Sequence, residues 1–166
     1  MLFQKRSSHK KIAPDKYDVS VGGHYAAGED GAVAGPREIR EELGLDVTFD
    51  ELIPLGRRVF VYGFSPGISE CEFQDVFLLP RSVQPQALAL QQEEVDGVLE
   101  MEVEQGIRLF SAQPGRAQGS LYRTGELAIR VQVAAGDFVP CLDRYYLKLL
   151  LLAQRFLRGE RELLVI

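Results

Sequence analysis

The sequence is poor in the side chains that bind soft metals or form cross-links. Its 166 residues include two cysteines, Cys71 and Cys141, and two histidines. The two cysteines lack the spacing of a metal site, and they fit a reduced, cytoplasmic setting. No signal-peptide pattern precedes the first strand-like residues.

Long apolar runs and an excess of positive charge are absent as well. No stretch of about eighteen apolar residues occurs, and the leucine-rich run at residues 147–152 is too short to span a membrane. We therefore expect no membrane partner. The net charge of −5 weighs against general nucleic-acid binding. The apolar content of 46% is that of a globular protein, and the length fits a single domain over residues 1–166.

An acidic segment near residue 40 is the most informative part of the chain. Glu38, Glu41 and Glu42 are separated by three and four residues, so they share one face of a predicted helix. Pro36 suits the first position of that helix, and Gly44 suits the left-handed residue that ends it. Like charges at this spacing each destabilise a helix by about 0.2–0.5 kcal/mol.

A cation held among the three carboxylates would offset that repulsion. Oxygen ligands suit Mg²⁺ or Mn²⁺, and Mg²⁺ commonly binds through a few carboxylates together with substrate phosphates. The alternative is a solvated acidic face that binds nothing. The glutamates taken alone leave both explanations open.

Residues upstream of the acidic helix favour the metal site. The pattern begins at the second glycine of the pair Gly22-Gly23. From there the chain has Gly, five residues, Glu, seven residues, Arg-Glu, an apolar residue, any residue, Glu-Glu, any residue, Gly and an apolar residue. This spacing matches the Nudix box at every specified position: Gly23, Glu29, Arg37, Glu38, Ile39, Glu41, Glu42, Gly44 and Leu45. The sequence therefore resembles the Nudix hydrolase superfamily.

The resemblance implies both a fold and a reaction. The expected fold is α/β of the α+β kind, in which a mixed β-sheet lies between helices in an α/β/α arrangement. The expected reaction is hydrolysis of the phosphoanhydride bond of an X-linked (nucleoside) diphosphate, a small-molecule substrate, by a water that Mg²⁺ or Mn²⁺ activates.

The resemblance also assigns roles to residues of the box. Glu38, Glu41 and Glu42 are expected to be catalytic and to bind metal. A backbone carbonyl of Gly22 or Gly23 is expected to complete that ligand set, since glycine lets the backbone approach a metal closely.

Two further box residues and two candidate bases complete the expected site. Glu29 and Arg37 are expected to orient the helix as a pair and not to touch substrate. The general base varies across the family; Glu72 is the first candidate and Glu94 the second. The alternative for Glu72 is an exposed strand residue.

A second resemblance covers more of the chain. Residues 5–29 and 94–104 look like the branch of the superfamily that includes isopentenyl-diphosphate isomerases. His24, Tyr62, Glu70 and Glu72 match residues that bind metal or transfer protons in those enzymes. This resemblance adds allylic isomerisation as an alternative reaction.

The differences from the isomerases favour hydrolysis. Gly22 stands where the isomerases carry a catalytic cysteine, and His9 does not match either of their remaining histidine ligands. The isomerase box is degenerate, whereas this one is complete. A non-catalytic diphosphate-binding module is a third hypothesis, and the intact box speaks against it.

A basic segment precedes the glycine pair. Residues 5–16 contain one acid, Asp15, against five basic residues: Lys5, Arg6, Lys10, Lys11 and Lys16. Taken alone, the segment reads as a solvated basic loop. Beside a carboxylate–metal site it is expected to attract phosphate, and we assign Arg6, Lys10, Lys11, Lys16 and His24 as candidate phosphate ligands. The alternative for His24 is a turn residue with a hydrogen-bonding role.

Alternating patterns predict the remaining elements. The predicted strands cover residues 2–4, 17–21, 47–49, 57–64, 71–79, 95–103 and 127–133, a short helix covers 102–110, and residues 111–120 form a loop. A C-terminal helix within 141–158 packs an apolar stripe on the domain: Leu142, Tyr146, Leu149, Ala153 and Phe156. Relatives carry additional residues before the first strand, which suggests a shortened N-terminal strand region or a homodimer that supplies the missing edge.

Overall fold

The computed structural model describes residues 1–65, 68–111, 115–162 and 164–166, with the backbone alone for Tyr62, Phe64, Ser65 and residues 68–70. It contains seven strands and three α-helices in the described part of the chain. They are β1 (Leu2–Arg6), β2 (Tyr17–Val19), α1 (Gly31–Leu43), β3 (Ile53–Ser65), β4 (Ile68–Leu78), β5 (Val95–Glu100), α2 (Val103–Ser111), β6 (Arg116–Tyr122), β7 (Ile129–Ala134) and α3 (Tyr145–Leu157).

A five-stranded sheet forms the centre of the fold, in the order β2-β1-β5-β6-β7. Its neighbouring strands are antiparallel, and one parallel bridge joins Tyr17 to Phe138. Consecutive residues of β5 face opposite helices. Val98 packs in a cluster with Leu43 of α1, whereas Leu99 packs in the larger cluster that contains Leu150 of α3. The sheet therefore lies between helices, and the predicted α+β fold is confirmed.

The second sheet is a long hairpin of β3 and β4, and the described residues show no strand pairing between it and the five-stranded sheet. One face of the hairpin reaches the large core cluster through Leu55 and Val76. On the same face, the Arg58 guanidinium lies 3.6 Å from the centre of the Tyr145 ring of α3. Side-chain packing thus attaches the hairpin to the rest of the molecule.

Helix α1 begins earlier than predicted. Asp30 is its N-cap, and the Asp30 carboxylate accepts hydrogen bonds from the backbone N–H groups of Ala32 and Val33 at 3.0 and 3.2 Å. The predicted start at Pro36 is wrong, since Pro36 lies inside the helix. The cap stabilises the helix by about 1 kcal/mol, whereas an interior proline destabilises it by about 3 kcal/mol, so the cap offsets only part of that cost. The predicted end is confirmed: Gly44 has a left-handed φ of 67°.

Three other predictions about elements are wrong. Residues 47–49 do not form a strand, because Thr48 donates its backbone N–H to the Glu51 carboxylate and residues Phe49–Glu51 form a 3₁₀ helix. Residues 111–120 are not all loop, because β6 begins at Arg116 and buries alternate residues. Leu142 is 83% exposed, because α3 starts only at Tyr145. The remaining stripe positions of α3 lie in or against the core.

The other predicted strands and the short helix are confirmed, with shifted ends. The strand predicted at residues 71–79 is observed as β4, and the helix predicted at 102–110 is observed as α2. The helices in the described part of the chain include none with the length and apolar content that a membrane span requires.

Candidate active site

The segment with Gly22 and Gly23 before α1, which we call the glycine turn, lies directly against a box glutamate. A Cβ atom built on Gly23 would stand 1.9 Å from Cδ of Glu38 and 2.1 and 2.4 Å from its two oxygens. No side chain fits in that space. The Glu38 carboxylate therefore packs on the bare backbone of the turn, which is the close approach that a glycine at this position permits.

Arg37 connects the loop before α1 to the acidic face of the helix. Its Nε and Nη2 atoms donate to the two oxygens of Glu29 at 3.0 and 2.8 Å. Its Nη1 donates to Glu38 at 2.8 Å and to Glu41 at 3.0 Å, and Nη2 also donates to the carbonyl oxygen of His24 at 3.1 Å. The hydrogen bonds from Arg37 lower the pKa of Glu29. The structure thus brings together the predicted pair and two of the three box carboxylates.

Glu42 is the buried member of the acidic face, with 4% of the residue exposed. Its Oε2 atom accepts from Nε2 of Gln4 at 3.3 Å and from the backbone N–H of Gly22 at 3.4 Å. Burial, with smaller contributions from the nearby charges of Glu38 and Glu94, raises the pKa of Glu42 to about 8. A buried carboxylate among other carboxylates is energetically costly unless a cation or a proton compensates its charge.

The hairpin places the first candidate base beside the glycine turn. His24 Nε2 lies 3.2 Å from Oε1 of Glu72 on β4, and Gln74 Nε2 donates to Oε2 of Glu72 at 2.8 Å. Each carboxylate oxygen of Glu72 therefore has a side-chain partner. The side chains of Tyr62 and Glu70, which the isomerase resemblance singled out, lie outside the described part of the structure.

A second cross-link between loop and hairpin was not predicted from the sequence. The Tyr25 hydroxyl donates to Oδ2 of Asp75 at 2.8 Å, and Arg57 donates to both oxygens of Asp75. Desolvation, with a smaller contribution from the Asp75 hydrogen bond, raises the pKa of Tyr25 to about 12, while Arg57 lowers the pKa of Asp75. Tyr25 and Asp75 are too far apart in sequence for a spacing motif to reveal their contact, and the one local signal is that Tyr25 closely follows Gly23.

The candidate phosphate ligands separate into two groups. Lys10 contacts the carboxylate of Glu94, and its charge lowers the pKa of Glu42, so Lys10 lies near the acidic face. Arg6 instead donates to the backbone carbonyls of residues 12 and 13 and so organises its own loop. Lys16 donates to the carbonyl of Gly136 at 2.6 Å. Lys11 is exposed.

The donor chemistry of the acidic face fits a hard divalent cation. Glu38 packs against Gly23, Glu42 accepts from the N–H of Gly22, and Glu41 is half exposed. All three offer oxygen atoms, which Mg²⁺ and Mn²⁺ prefer. As placed, no three His, Cys, Asp or Glu side chains in the described residues are grouped closely enough to bind a metal. Arg37 Nη1 bridges Glu38 and Glu41 in this arrangement.

Comparisons with known proteins agree with the site. The family model described as NUDIX domain matches residues 1–119. An uncharacterized Nudix hydrolase of Clostridium acetobutylicum is 29% identical over 150 residues, which cover 88% of this chain and 72% of that protein. Nudix hydrolase 3 of Arabidopsis thaliana is 32% identical over 110 residues, covering 59% of this chain and 13% of that protein.

A third relative extends the comparison to another bacterium. An uncharacterized Nudix hydrolase of Listeria innocua is 34% identical over 98 residues, covering 59% of this chain and 53% of that protein. The chain thus spans about half of the Listeria protein and a small part of the Arabidopsis protein. The relatives named here are all Nudix hydrolases, and the isomerase-like branch stays a prediction.

Proposed function

This chain belongs to the Nudix hydrolase family, and from that premise we propose that it hydrolyses the phosphoanhydride bond of an X-linked, nucleoside-type diphosphate with Mg²⁺ or Mn²⁺. The observation that carries the proposal is the burial of Glu42 beside Gly22, next to Glu38 packed on Gly23. This arrangement concentrates negative charge at a turn where a backbone can approach a ligand closely. The free thiols Cys71 and Cys141 are compatible with a reduced, cytoplasmic setting.

Each box residue has a proposed role. Glu38, Glu41 and Glu42, with the backbone of the glycine turn, would hold the divalent cation. Bound there, the cation would neutralise charge on the diphosphate and lower the pKa of a bound water. Arg37 keeps Glu38 and Glu41 oriented through its Nη1 hydrogen bonds and is itself fixed by Glu29.

We assign Glu72 as the general base in preference to Glu94. The Lys10 ammonium contacts the Glu94 carboxylate and so takes up an acceptor oxygen that a water would need. Glu72 is held by His24 and Gln74 beside the glycine turn, which suits a group that must meet a water in one orientation. We expect Glu72→Gln to lower kcat more than Glu94→Gln does.

The test of the proposed function is a substrate screen. Purified protein is incubated with nucleotide, sugar, coenzyme and isoprenoid diphosphates in Mg²⁺ and in Mn²⁺, and released phosphate or monophosphate is measured. We expect metal-dependent release from at least one class, abolished by EDTA. Formation of an allylic diphosphate without phosphate release would favour the isomerase instead. Binding of Mg²⁺ and a diphosphate without any product would favour a binding module.

A further inference from the structure

The position of the hairpin relative to the box depends on side chains. Strands β3 and β4 pair with each other, and the described residues include no ladder from them to the five-stranded sheet. Glu72, the proposed base, lies on β4, whereas Glu38, Glu41 and Glu42 lie on α1. Contacts between the loop at residues 20–30 and β4 therefore influence the distance between base and cation ligands.

Two consecutive residues of that loop contact β4. His24 contacts Glu72, and Tyr25 donates its hydroxyl hydrogen to Oδ2 of Asp75 at 2.8 Å. Because Glu72 and Asp75 are three residues apart in a strand, their side chains leave opposite faces of the hairpin. The loop thus contacts side chains from both faces of β4, at the proposed base and three residues further along the strand.

The acceptor for Tyr25 is itself fixed. Arg57 faces Asp75 across the hairpin in register, and Arg57 Nε and Nη2 donate to the two Asp75 oxygens at 2.6 and 3.0 Å. A two-pronged arginine–carboxylate pair holds the plane of the carboxylate. The Tyr25 hydroxyl therefore meets an acceptor that is already oriented by the opposite strand.

The Tyr25 hydroxyl also lies against the beginning of α1. A Cβ atom built on Gly31, the first residue of the helix, would be 2.9 Å from Oη of Tyr25 and 3.2 Å from Cζ of Phe77. Tyr25 is thus located where the start of the box helix, the glycine loop and β4 meet. A change at this hydroxyl would be transmitted to all three.

We propose that Tyr25 is a positioning residue for hydrolysis, which holds β4, and with it Glu72, at the correct distance from the box carboxylates. This inference rests on the proposed function and on the assignment of Glu72 as base. In this role Tyr25 touches neither the diphosphate nor the cation. A displacement of about 1 Å in a catalytic group can lower a rate by roughly a hundredfold, so one hydrogen bond at this junction is enough to affect turnover.

The variant Tyr25→Phe tests the inference because it removes the hydroxyl and keeps the ring. We expect kcat to fall roughly tenfold with KM within about twofold of the wild-type value, because position and not binding is changed. Tyr122→Phe is the matched control: Tyr122 also donates to a carboxylate, Oε2 of Glu100, at 3.0 Å, but on β6. Its kinetics should equal those of the wild type.

A double variant separates positioning from a general structural effect. In the Glu72→Gln background, measured by single turnover with enzyme in excess, Tyr25→Phe should change the rate by less than about twofold, because its effect passes through Glu72. The inference is overturned if the rate losses caused by Glu72→Gln and Tyr25→Phe multiply in full in the double variant. It is also overturned if the Tyr25→Phe enzyme is as active as the wild type. An inactive wild type, by contrast, would reject the proposed function itself.

Discussion

Arg37 and Glu29 form a two-pronged ion pair, with Nε 3.0 Å and Nη2 2.8 Å from the two Glu29 oxygens. The residues are eight positions apart, and the pair ties the loop to α1. The same guanidinium reaches Glu38 and Glu41. One side chain therefore orients most of the acidic face.

The first prediction concerns the planar shape of the Arg37 guanidinium. Arg37→Lys keeps the charge but loses the planar fork, so Glu38 and Glu41 lose their common donor. We expect kcat/KM to fall by about ten- to a hundredfold and the melting temperature to decrease. Arg40→Lys, an exposed change on the same helix, is the control and should alter neither quantity. Equal kinetics for the two variants would contradict the role given to Arg37.

The second prediction concerns the glycine turn. Gly23→Ala places a methyl group where the Glu38 carboxylate now lies, within 2.4 Å of three of its atoms. Either the turn or Glu38 must move, so we expect loss of most Mg²⁺-dependent turnover and weaker Mg²⁺ binding by calorimetry. Gly136→Ala is the control, because its Cβ would meet no atom within 4 Å. Normal activity in Gly23→Ala would show that the close approach is unnecessary.

The third prediction concerns metal removal. Glu42 is a buried carboxylate, and a neutral amide in its place costs less to bury. In EDTA we therefore expect Glu42→Gln to melt at the same temperature as the wild type or higher. Addition of Mg²⁺ should raise the melting temperature of the wild type more than that of Glu42→Gln, because a ligand stabilises the state that binds it. Exposed Glu51→Gln should respond to Mg²⁺ as the wild type does. Equal Mg²⁺ shifts in all three proteins would place the cation elsewhere.

The fourth prediction concerns pH. Burial raises the pKa of Asp18, despite the hydrogen bond from Val19 N–H and the opposing charges of Arg6 and Arg58. A raised pKa in the folded state means that folded Asp18 keeps its proton to a higher pH than unfolded Asp18 does. Stability is then lost as pH rises from the unfolded pKa through the folded pKa.

Urea unfolding across this pH interval provides the measurement for Asp18. We expect Asp18→Asn to decline less in stability than the wild type as pH rises, because Asn has no proton to lose and its oxygen can still accept from the Tyr146 hydroxyl, now 3.0 Å from Oδ1. Asp50→Asn, an exposed change, should leave the slope unaltered. A wild-type slope in Asp18→Asn would reject this assignment.

Local spacing predicted the box side of the site well. The glycine turn, Glu29, Arg37 and the acidic helix all lie within a short segment, and the family pattern constrains them at fixed intervals. The helix start was missed because Pro36 is a strong local signal for a first helical turn, whereas the helix is capped at Asp30 and holds Pro36 in its interior. The 3₁₀ turn at Phe49 was missed because a side-chain hydrogen bond from Thr48 N–H to Glu51 determines it.

Long-range contacts account for most of what sequence reasoning could not supply. Tyr25 and Asp75 are fifty positions apart, and nothing in either segment specifies the other. Lys10 and Lys16 look alike in the sequence, yet Lys10 contacts Glu94 and Lys16 contacts the carbonyl of Gly136. Which member of a basic cluster approaches the acidic face depends on the path of the loop at residues 7–16, and that path depends on tertiary packing.

Glu41 allows the most direct measurement on the central claim, that the acidic face of α1 carries metal-dependent hydrolysis. The side chain is about half exposed, at 48%, so Glu41→Gln should leave the fold unchanged. With a diphosphate that the wild type cleaves, phosphate release is measured across a Mg²⁺ titration for both proteins, with circular dichroism as the folding control. We expect turnover in Glu41→Gln to fall by orders of magnitude at every Mg²⁺ concentration. A folded Glu41→Gln that releases phosphate at nearly the wild-type rate would contradict it.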